Sequence, residues 1–191
     1  MTRAARRSFD TFCRDAVDLL DRAGAPFLII GGLAVAVIGE PRMTGDIDVV
    51  AFVDLDGADQ LIAAAVTAGF EAAADERERL RETGTLRFSK GGFQFDIILA
   101  SLPFEDAALA RARRERLFGR RVPLPTPEDL LLFKVLAGRD KDLVDAVGIA
   151  RRHLASLDRA YLDATLAEIC DLAEDIAPRQ RLDAVLRKAQ I

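Results

Sequence analysis

Two aspartates one residue apart, Asp46 and Asp48, open the segment DIDVVAFV, which is otherwise apolar enough to be a buried strand. Because side chains alternate between the faces of a strand, both carboxylates point the same way, and Ile47 and Val49 point into the core. Two carboxylates this close repel each other unless a cation lies between them, and oxygen-only ligands favour Mg²⁺ or Mn²⁺. The alternative is that both acids cap a strand at the protein surface, as lone Asp-x-Asp pairs commonly do.

A third aspartate, Asp96, lies in FQFDIIL, the second strand of a hairpin predicted by the Gly91-Gly92 turn. Phe95 and Ile97 belong to one face of this strand, and Asp96 falls on the other. An acid in such a segment is costly to bury without a partner. If this strand lies beside DIDVV, three carboxylates come together as a two-metal site for phosphoryl chemistry. The alternative is an edge-strand acid that faces water.

A pair of glycines, Gly31 and Gly32, joins the apolar segment PFLII to LAVAVIG. This order predicts a strand, a tight turn and the start of a helix. Glycine lets the backbone approach a ligand closely, and a helix N-terminus presents free N–H groups to an anion. The turn is therefore a candidate phosphate site next to Asp46 and Asp48, or it is only a tight connection.

The elements around these residues predict an α+β protein. A small mixed β-sheet flanked by helices is expected over residues 1–125, and a helical region is expected over 126–191, where Thr126 and Gly138 are typical first and last residues of a helix. FEDAALARARRERLF is predicted to be a basic helix, followed by RRVPLP as an extended edge. Its six-arginine stretch, RARRERLFGRR, is either a solvated face or a contact for RNA phosphates.

Composition narrows the class of protein. The net charge of −4 does not suggest a dedicated nucleic-acid coat protein. Cys13 and Cys170 are isolated, which favours a reducing cytoplasm over a disulfide scaffold. The N-terminus lacks the apolar stretch of a signal peptide, and no apolar run is long enough to span a bilayer. We therefore expect a cytoplasmic protein without a membrane partner.

Taken together, these motifs resemble the nucleotidyltransferase superfamily of DNA polymerase beta, whose signature is a strand, Gly-Gly or Gly-Ser, about a dozen residues, Asp-x-Asp and a later third acid. Within it, the sequence is most similar to the AbiEii-type nucleotidyltransferases, toxins of bacterial toxin–antitoxin and phage-defence systems. Their RxxKDxxD motif corresponds to RDKDLVD, Arg139 to Asp145, which is one residue shorter before the lysine. The lysine on their preceding helix corresponds to Lys134.

The resemblance implies a nucleotidyltransferase fold followed by a helical bundle, and transfer of a nucleoside monophosphate from an NTP to an acceptor hydroxyl. Asp46 and Asp48 would hold Mg²⁺ or Mn²⁺ on the triphosphate, and Asp96 would complete the metal site and help deprotonate the acceptor. The Gly31 and Gly32 amides would bind phosphate oxygens.

The resemblance also assigns three charged residues outside that trio. Lys134 and Arg42 are implied phosphate ligands, and Asp142 is implied as a further catalytic residue that could orient Lys134 or a substrate base. The alternatives are a snorkelling surface lysine for Lys134 and helix-dipole stabilisation for Asp142 and Asp145. The family's basic pair has only loose counterparts in Arg79, Arg81 or Arg87.

Three functional hypotheses follow. The first is a toxin-like transferase with an RNA acceptor, such as a tRNA 3′ end, and a cognate antitoxin as partner. The second has the same chemistry with a small hydroxylated acceptor, as in antibiotic-modifying relatives. The third is an inactive nucleotide- or partner-binding module that kept the fold.

Overall fold

The structure is a computed structural model that describes residues 2–190. The helices are α1 (Arg3–Arg22), α2 (Gly31–Ile38), α3 (Leu55–Thr67), α4 (Glu76–Thr83), α5 (Pro103–Ala110), α6 (Pro127–Ala137), α7 (Asp140–His153), α8 (Arg159–Ala173) and α9 (Ala177–Ala189). The strands are β1 (Phe27–Ile30), β2 (Asp46–Ala51), β3 (Glu71–Ala72), β4 (Thr85–Lys90), β5 (Phe93–Leu99), β6 (Arg113–Leu117) and β7 (Arg120–Leu124).

The chain folds into two compact units that are interleaved in sequence. The first consists of Met1–Leu33, Thr44–Ser101 and Ala112–Leu124. The second consists of Ala34–Met43, Leu102–Arg111 and Pro125–Ile191. Two short segments from the first 125 residues therefore belong to the mainly C-terminal unit.

The first unit is built on a five-stranded sheet with the order β1-β2-β5-β4-β3. β2 and β5 run parallel, and the other neighbouring pairs are antiparallel, so the predicted small mixed sheet is confirmed. One face is apolar because every second residue of the central strands points into the core. Its buried members are Ile47, Val49, Leu86, Phe88, Phe95 and Ile97.

The apolar face is covered by aromatic side chains from α1 and the loop before β3. The ring of Phe12 lies 5.4 Å from that of Phe93, and the ring of Phe70 lies 5.9 Å from that of Phe95. Cys13, next to Phe12 on α1, is fully buried and is a free thiol. This packing leaves the opposite, polar face of the sheet to carry the candidate site.

The predicted hairpin between β4 and β5 is confirmed. Gly91 and Gly92 both have positive φ, at 61° and 84°. Such angles are needed in the tight turns whose twist matches that of paired strands. Lys90 pairs with Phe93 directly across the turn.

The prediction of a basic helix over FEDAALARARRERLF is wrong in its second half. α5 ends at Ala110, and Arg113–Leu117 is the strand β6, paired antiparallel with β7. Phe118 and Gly119 form the turn with φ of 53° and 75°. The cause is tertiary: Val122 and Leu124 are buried, which fixes β7 and offers β6 a pairing partner. That partner outweighs the helix preference of arginine.

The second unit is mainly helical, as predicted. The Thr126 hydroxyl accepts a hydrogen bond from the N–H of Asp129 at 3.3 Å, and α6 ends at Gly138, whose φ is +64°. The core of this unit contains Leu130, Leu131, Leu132, Val135, Ala146, Ile149, Leu162, Leu166, Leu182 and Val185. Between residues 2 and 190, no helix combines the length and the apolar character needed to cross a membrane.

Candidate active site

Three aspartates meet on the polar face of the sheet in the first unit. Asp46 and Asp48 lie on the same face of β2, and Asp48 is in register with Asp96 on the parallel neighbour β5. Residues in register on adjacent strands point to the same face. The strand of Asp96 therefore does lie beside that of Asp46 and Asp48, which was the condition for bringing the three acids together.

Asp96 is paired with a guanidinium group. Arg87, opposite Asp96 in the β4–β5 hairpin, donates hydrogen bonds to both carboxylate oxygens at 2.8 and 2.7 Å. These hydrogen bonds are the main cause of a raised pKa for Arg87, and the nearby charge of Asp48 adds to it. Arg87 thus supplies positive charge on the β4 side of the acidic cluster, next to Asp96.

The backbone N–H of Arg87 donates a hydrogen bond to Glu76, a buried acid on α4. Arg79, three residues later on the same helix, forms an ion pair with Glu76 at 3.3 Å. Glu76 therefore fixes the strand position from which Arg87 reaches Asp96. On β2, the Asp46 carboxylate accepts a hydrogen bond from the hydroxyl of Thr44, two residues earlier. Asp46 and Asp96 thus each accept hydrogen bonds that orient the carboxylate.

Gly31 lies directly against Asp48. Its φ is +64°, and a Cβ built on it would be 2.6 Å from Cγ of Asp48, well inside van der Waals contact. Only glycine leaves room for the carboxylate here. The predicted approach of the Gly31-Gly32 turn to the Asp-x-Asp pair is thus present as a contact between backbone and carboxylate.

The remaining predicted site residues form a buried ion-pair cluster in the second unit. Lys134 binds Asp142 at 2.9 Å and Asp145 at 3.0 Å, and its side chain is only 6% exposed. Arg42 donates to both oxygens of Asp145, at 2.8 and 3.0 Å, and Arg139 binds Asp142. Lys134 is therefore a buried partner of two carboxylates, and its interpretation as a snorkelling surface lysine is wrong.

The acids of this cluster are held ionised by their partners. Burial acts to raise the pKa of Asp142, but hydrogen bonds from Arg139 and Lys134 outweigh it, and the net pKa is below the ordinary value. The pKa of Asp145 is lowered in the same way, with burial opposed by hydrogen bonds from Arg42 and Lys134. The cluster therefore contains two carboxylates and three cations, and its net charge is positive.

Comparison with solved structures identifies the fold. The antibiotic-resistance factor ANT(2″)-Ia aligns over 88% of this chain and 94% of its own, with 14% identity and a TM-score of 0.59. An antigenic nucleotidyltransferase-like protein from Paracoccidioides brasiliensis aligns over 96% of this chain and 92% of its own, with 18% identity and a TM-score of 0.50. A putative nucleotidyltransferase from H. pylori aligns over 100% of this chain and 95% of its own, with 14% identity and a TM-score of 0.54.

The protein has a nucleotidyltransferase fold. No protein-family model matches the sequence, and no curated protein matches it. The fold is assigned from the arrangement of the helices and strands, because at such low identities few residues are shared with the aligned proteins.

The divalent cation expected for a nucleotidyltransferase fold can be compared with the donors present. Asp46 and Asp48 offer only oxygen ligands, the set that Mg²⁺ prefers, and both lie on the sheet face that Gly31 keeps open. Within residues 2–190, however, no three carboxylate, imidazole or thiol groups are arranged to hold one ion. Arg87 binds both carboxylate oxygens of Asp96. The Asp46–Asp48 pair therefore fits a cation, and Asp96 joins it only if Arg87 moves away.

The role of Arg87 was missed by sequence reasoning, although the sequence contained the necessary signal. With Gly91-Gly92 as a two-residue turn, counting outward pairs Lys90 with Phe93 and, three steps further, Arg87 with Asp96. The partners of Lys134 and Arg42 carried no such local signal.

Proposed function

We propose that the protein is a nucleotidyltransferase that moves a nucleoside monophosphate from an NTP to an acceptor hydroxyl. The observation that carries the proposal is the placing of Asp46, Asp48 and Asp96 on one sheet face, with Gly31 against Asp48. The shared fold with nucleotidyltransferases supports it.

In this proposal, Asp46 and Asp48 would hold Mg²⁺ or Mn²⁺, the cation that accompanies the triphosphate. Bound there, the cation would neutralise charge on the phosphates and stabilise the leaving pyrophosphate. The Gly31 and Gly32 amides donate hydrogen bonds to phosphate oxygens. Asp96 gives up its hydrogen bonds to Arg87 and then accepts the proton of the attacking hydroxyl. Arg87, once released, donates to a phosphate oxygen.

The resemblance to AbiEii-type proteins extends the proposal to Lys134, Asp142 and Arg42. As cations, Lys134 and Arg42 would bind phosphate oxygens, and Asp142 would orient Lys134. In the structure the ammonium group of Lys134 lies between two carboxylates. Binding a phosphate would therefore require Lys134 to exchange one carboxylate for it.

The acceptor we favour is RNA, such as a tRNA 3′ end, which would make the protein the toxin of a toxin–antitoxin pair. The support is the resemblance in KDxxD, here Lys141 to Asp145, together with the arginine-rich segment around β6 and β7. A small antitoxin would then be its partner.

A small hydroxylated acceptor is the second candidate. It is supported by the structural similarity to ANT(2″)-Ia, whose complex with adenylyl-2″-tobramycin aligns over 86% of this chain and 98% of its own, with 16% identity and a TM-score of 0.58. The third candidate, an inactive module, would bind a nucleotide or partner without turnover.

The test is incubation of the protein with each labelled NTP, Mg²⁺ and either total RNA or tobramycin. Wild type is compared with Asp48→Asn and with the control Asp171→Asn, which changes an exposed acid on α8. Label in RNA that requires Asp48 and survives the control supports the first candidate, and label in tobramycin supports the second. Absence of transfer to either acceptor with all four NTPs would contradict the proposal and favour the inactive module.

A further inference from the structure

The β6–β7 hairpin, Arg113–Leu124, presents an arginine face that the proposed chemistry does not use. Side chains at positions 114, 116 and 121 lie on one side of this two-stranded ribbon, because Arg116 is in register with Arg121 and Arg114 with Pro123. Arg114, Arg116 and Arg121 are all exposed. We call these three residues the arginine face.

The ribbon is attached to the first unit by its opposite side and also by Pro123, which is buried on the side of the arginine face. Val122 and Leu124 are buried on the opposite side, and Arg120 binds both carboxylate oxygens of Asp18 on α1 at 2.7 and 2.9 Å. Arg14 of α1 donates to the carbonyl of Phe118 at 3.0 Å. The ribbon is therefore held in place at its turn, and the arginine face has a fixed orientation.

The arginine face has no acidic counterpart. None of its three guanidinium groups forms an ion pair or hydrogen bond with the part of the chain that the structure describes. Glu115, the acid within β6, is in register with Val122 and so points to the other side. Within residues 2–190, no acidic side chain therefore pairs with the charge of this face.

This arrangement is unfavourable for the isolated fold. Arg116 and Arg121 are directly opposite each other, and like charges in that position destabilise an antiparallel pair. Departures from such local rules are expected where a surface serves a ligand. A ligand that offsets the repulsion must carry several negative charges.

We propose that the arginine face binds the phosphodiester backbone of RNA. Arg114 and Arg116, two residues apart on one strand, have side chains separated by about 6.6 Å, a spacing suited to successive phosphates of an extended nucleic-acid strand. An anionic membrane is the less suitable partner, because the aromatic ring at the turn, Phe118, packs against Phe9 at 6.4 Å.

The position of the ribbon links it to the candidate site within the same unit. β7 packs beside β1, and β1 pairs with β2, the strand of Asp46 and Asp48. RNA on the arginine face would thus be bound to the same unit as the β2 carboxylates, with β1 lying between β7 and β2. This inference rests on the proposed function in one respect, namely that the bound RNA is the acceptor.

The experiment measures binding of a fluorescent single-stranded RNA oligonucleotide to the full chain, by anisotropy, over a range of KCl concentrations and without NTP. The test variant carries Arg114→Gln, Arg116→Gln and Arg121→Gln. The matched control removes three exposed cations from the second unit, through Arg159→Gln, Arg187→Gln and Lys188→Gln. A third variant replaces the arginine face by lysines, which keeps its charge, and circular dichroism checks that each variant folds.

The expected result is that the slope of log affinity against log salt becomes shallower by about 2 in the glutamine variant, since each phosphate contact to a single strand contributes about 0.7. The control and the lysine variant should keep the wild-type slope. An unchanged slope in the glutamine variant would overturn the proposal, as would no RNA binding by wild type. A parallel titration of wild type with phosphatidylserine vesicles that showed binding to the vesicles only would also overturn it. Loss of the slope in the glutamine variant without any nucleotide transfer by wild type would support the RNA surface and overturn the proposed function.

Discussion

Arg87 binds both carboxylate oxygens of Asp96, at 2.8 and 2.7 Å, from the strand directly opposite. Asp96 is in turn in register with Asp48, so one row across the sheet contains two acids and one cation, Arg87, which pairs with Asp96. A divalent cation and Arg87 would compete for the same oxygens of Asp96. Through this competition, Arg87 would couple the binding of a cation to the availability of Asp96 as the proton acceptor of the proposed reaction.

Replacing Arg87 with Gln should increase the affinity for Mn²⁺ and lower the stability of the cation-free protein. The free energy of unfolding should fall by about 1 kcal/mol, since the pair is partly exposed to solvent and leaves Asp96 beside Asp48 without a counter-charge. Titration calorimetry with Mn²⁺ and urea unfolding measure the two effects. Arg81→Gln, an exposed arginine on α4, is the control. Weaker Mn²⁺ binding by the Arg87 variant would show that Arg87 supports the cation site rather than competing with it.

Gly31→Ala should be far more damaging than Gly24→Ala, although both glycines have a φ of +64°. At Gly24 nothing lies within 4 Å of the added Cβ, so the cost is the left-handed backbone alone, about 1 kcal/mol. At Gly31 the Cβ meets Asp48, which has to move. Urea unfolding and Mg²⁺–NTP binding compare the two variants. Equal stability and equal nucleotide binding would mean that the contact between Gly31 and Asp48 is unimportant.

The strands, the hairpin and the face on which each acid lies were predictable because their signals are local, whereas the parallel pairing of β2 with β5 was only a condition. Alternation places Asp46, Asp48 and Asp96 on polar faces, and the Gly91-Gly92 turn fixes the register that brings Arg87 to Asp96. The β6–β7 ribbon was not predictable in the same way. Its residues alone favour a helix, and the burial of Val122 and Leu124 decides the outcome.

The buried cluster shows a second limit of sequence reasoning. Arg42 and Asp145 are separated by 103 positions, and their pairing depends on how the segment Ala34–Met43 folds into the second unit. A lysine in an apolar helix, such as Lys134, reads equally well as a surface residue or a ligand. Only its two carboxylate neighbours, eight and eleven positions later, show that it is buried.

Lys134→Met should destabilise the protein by about 1–3 kcal/mol at neutral pH, because Asp142 and Asp145 lose their shared buried partner and keep only Arg139 and Arg42. Lys141→Met, at an exposed position of α7, is the control and should change the stability little. Urea unfolding gives the loss, and Mg²⁺–ATP binding to the folded variant tests the proposed phosphate contact. A loss below about 1 kcal/mol, typical of surface ion pairs, would contradict the buried role of Lys134.

The same cluster predicts how the free energy of unfolding depends on pH. Asp142 and Asp145 have folded-state pKa values below the ordinary value, so their contribution is present above the unfolded pKa of about 4 and is lost as the pH falls through the folded pKa. Asp145→Asn removes one of these groups. The difference in free energy of unfolding between wild type and Asp145→Asn should therefore be largest at pH 6 and shrink as the pH is lowered from 4 towards 2. Urea titrations at each pH measure it, and a difference that stays constant over this range would mean that Asp145 gains nothing from Arg42 and Lys134 in its ionised form.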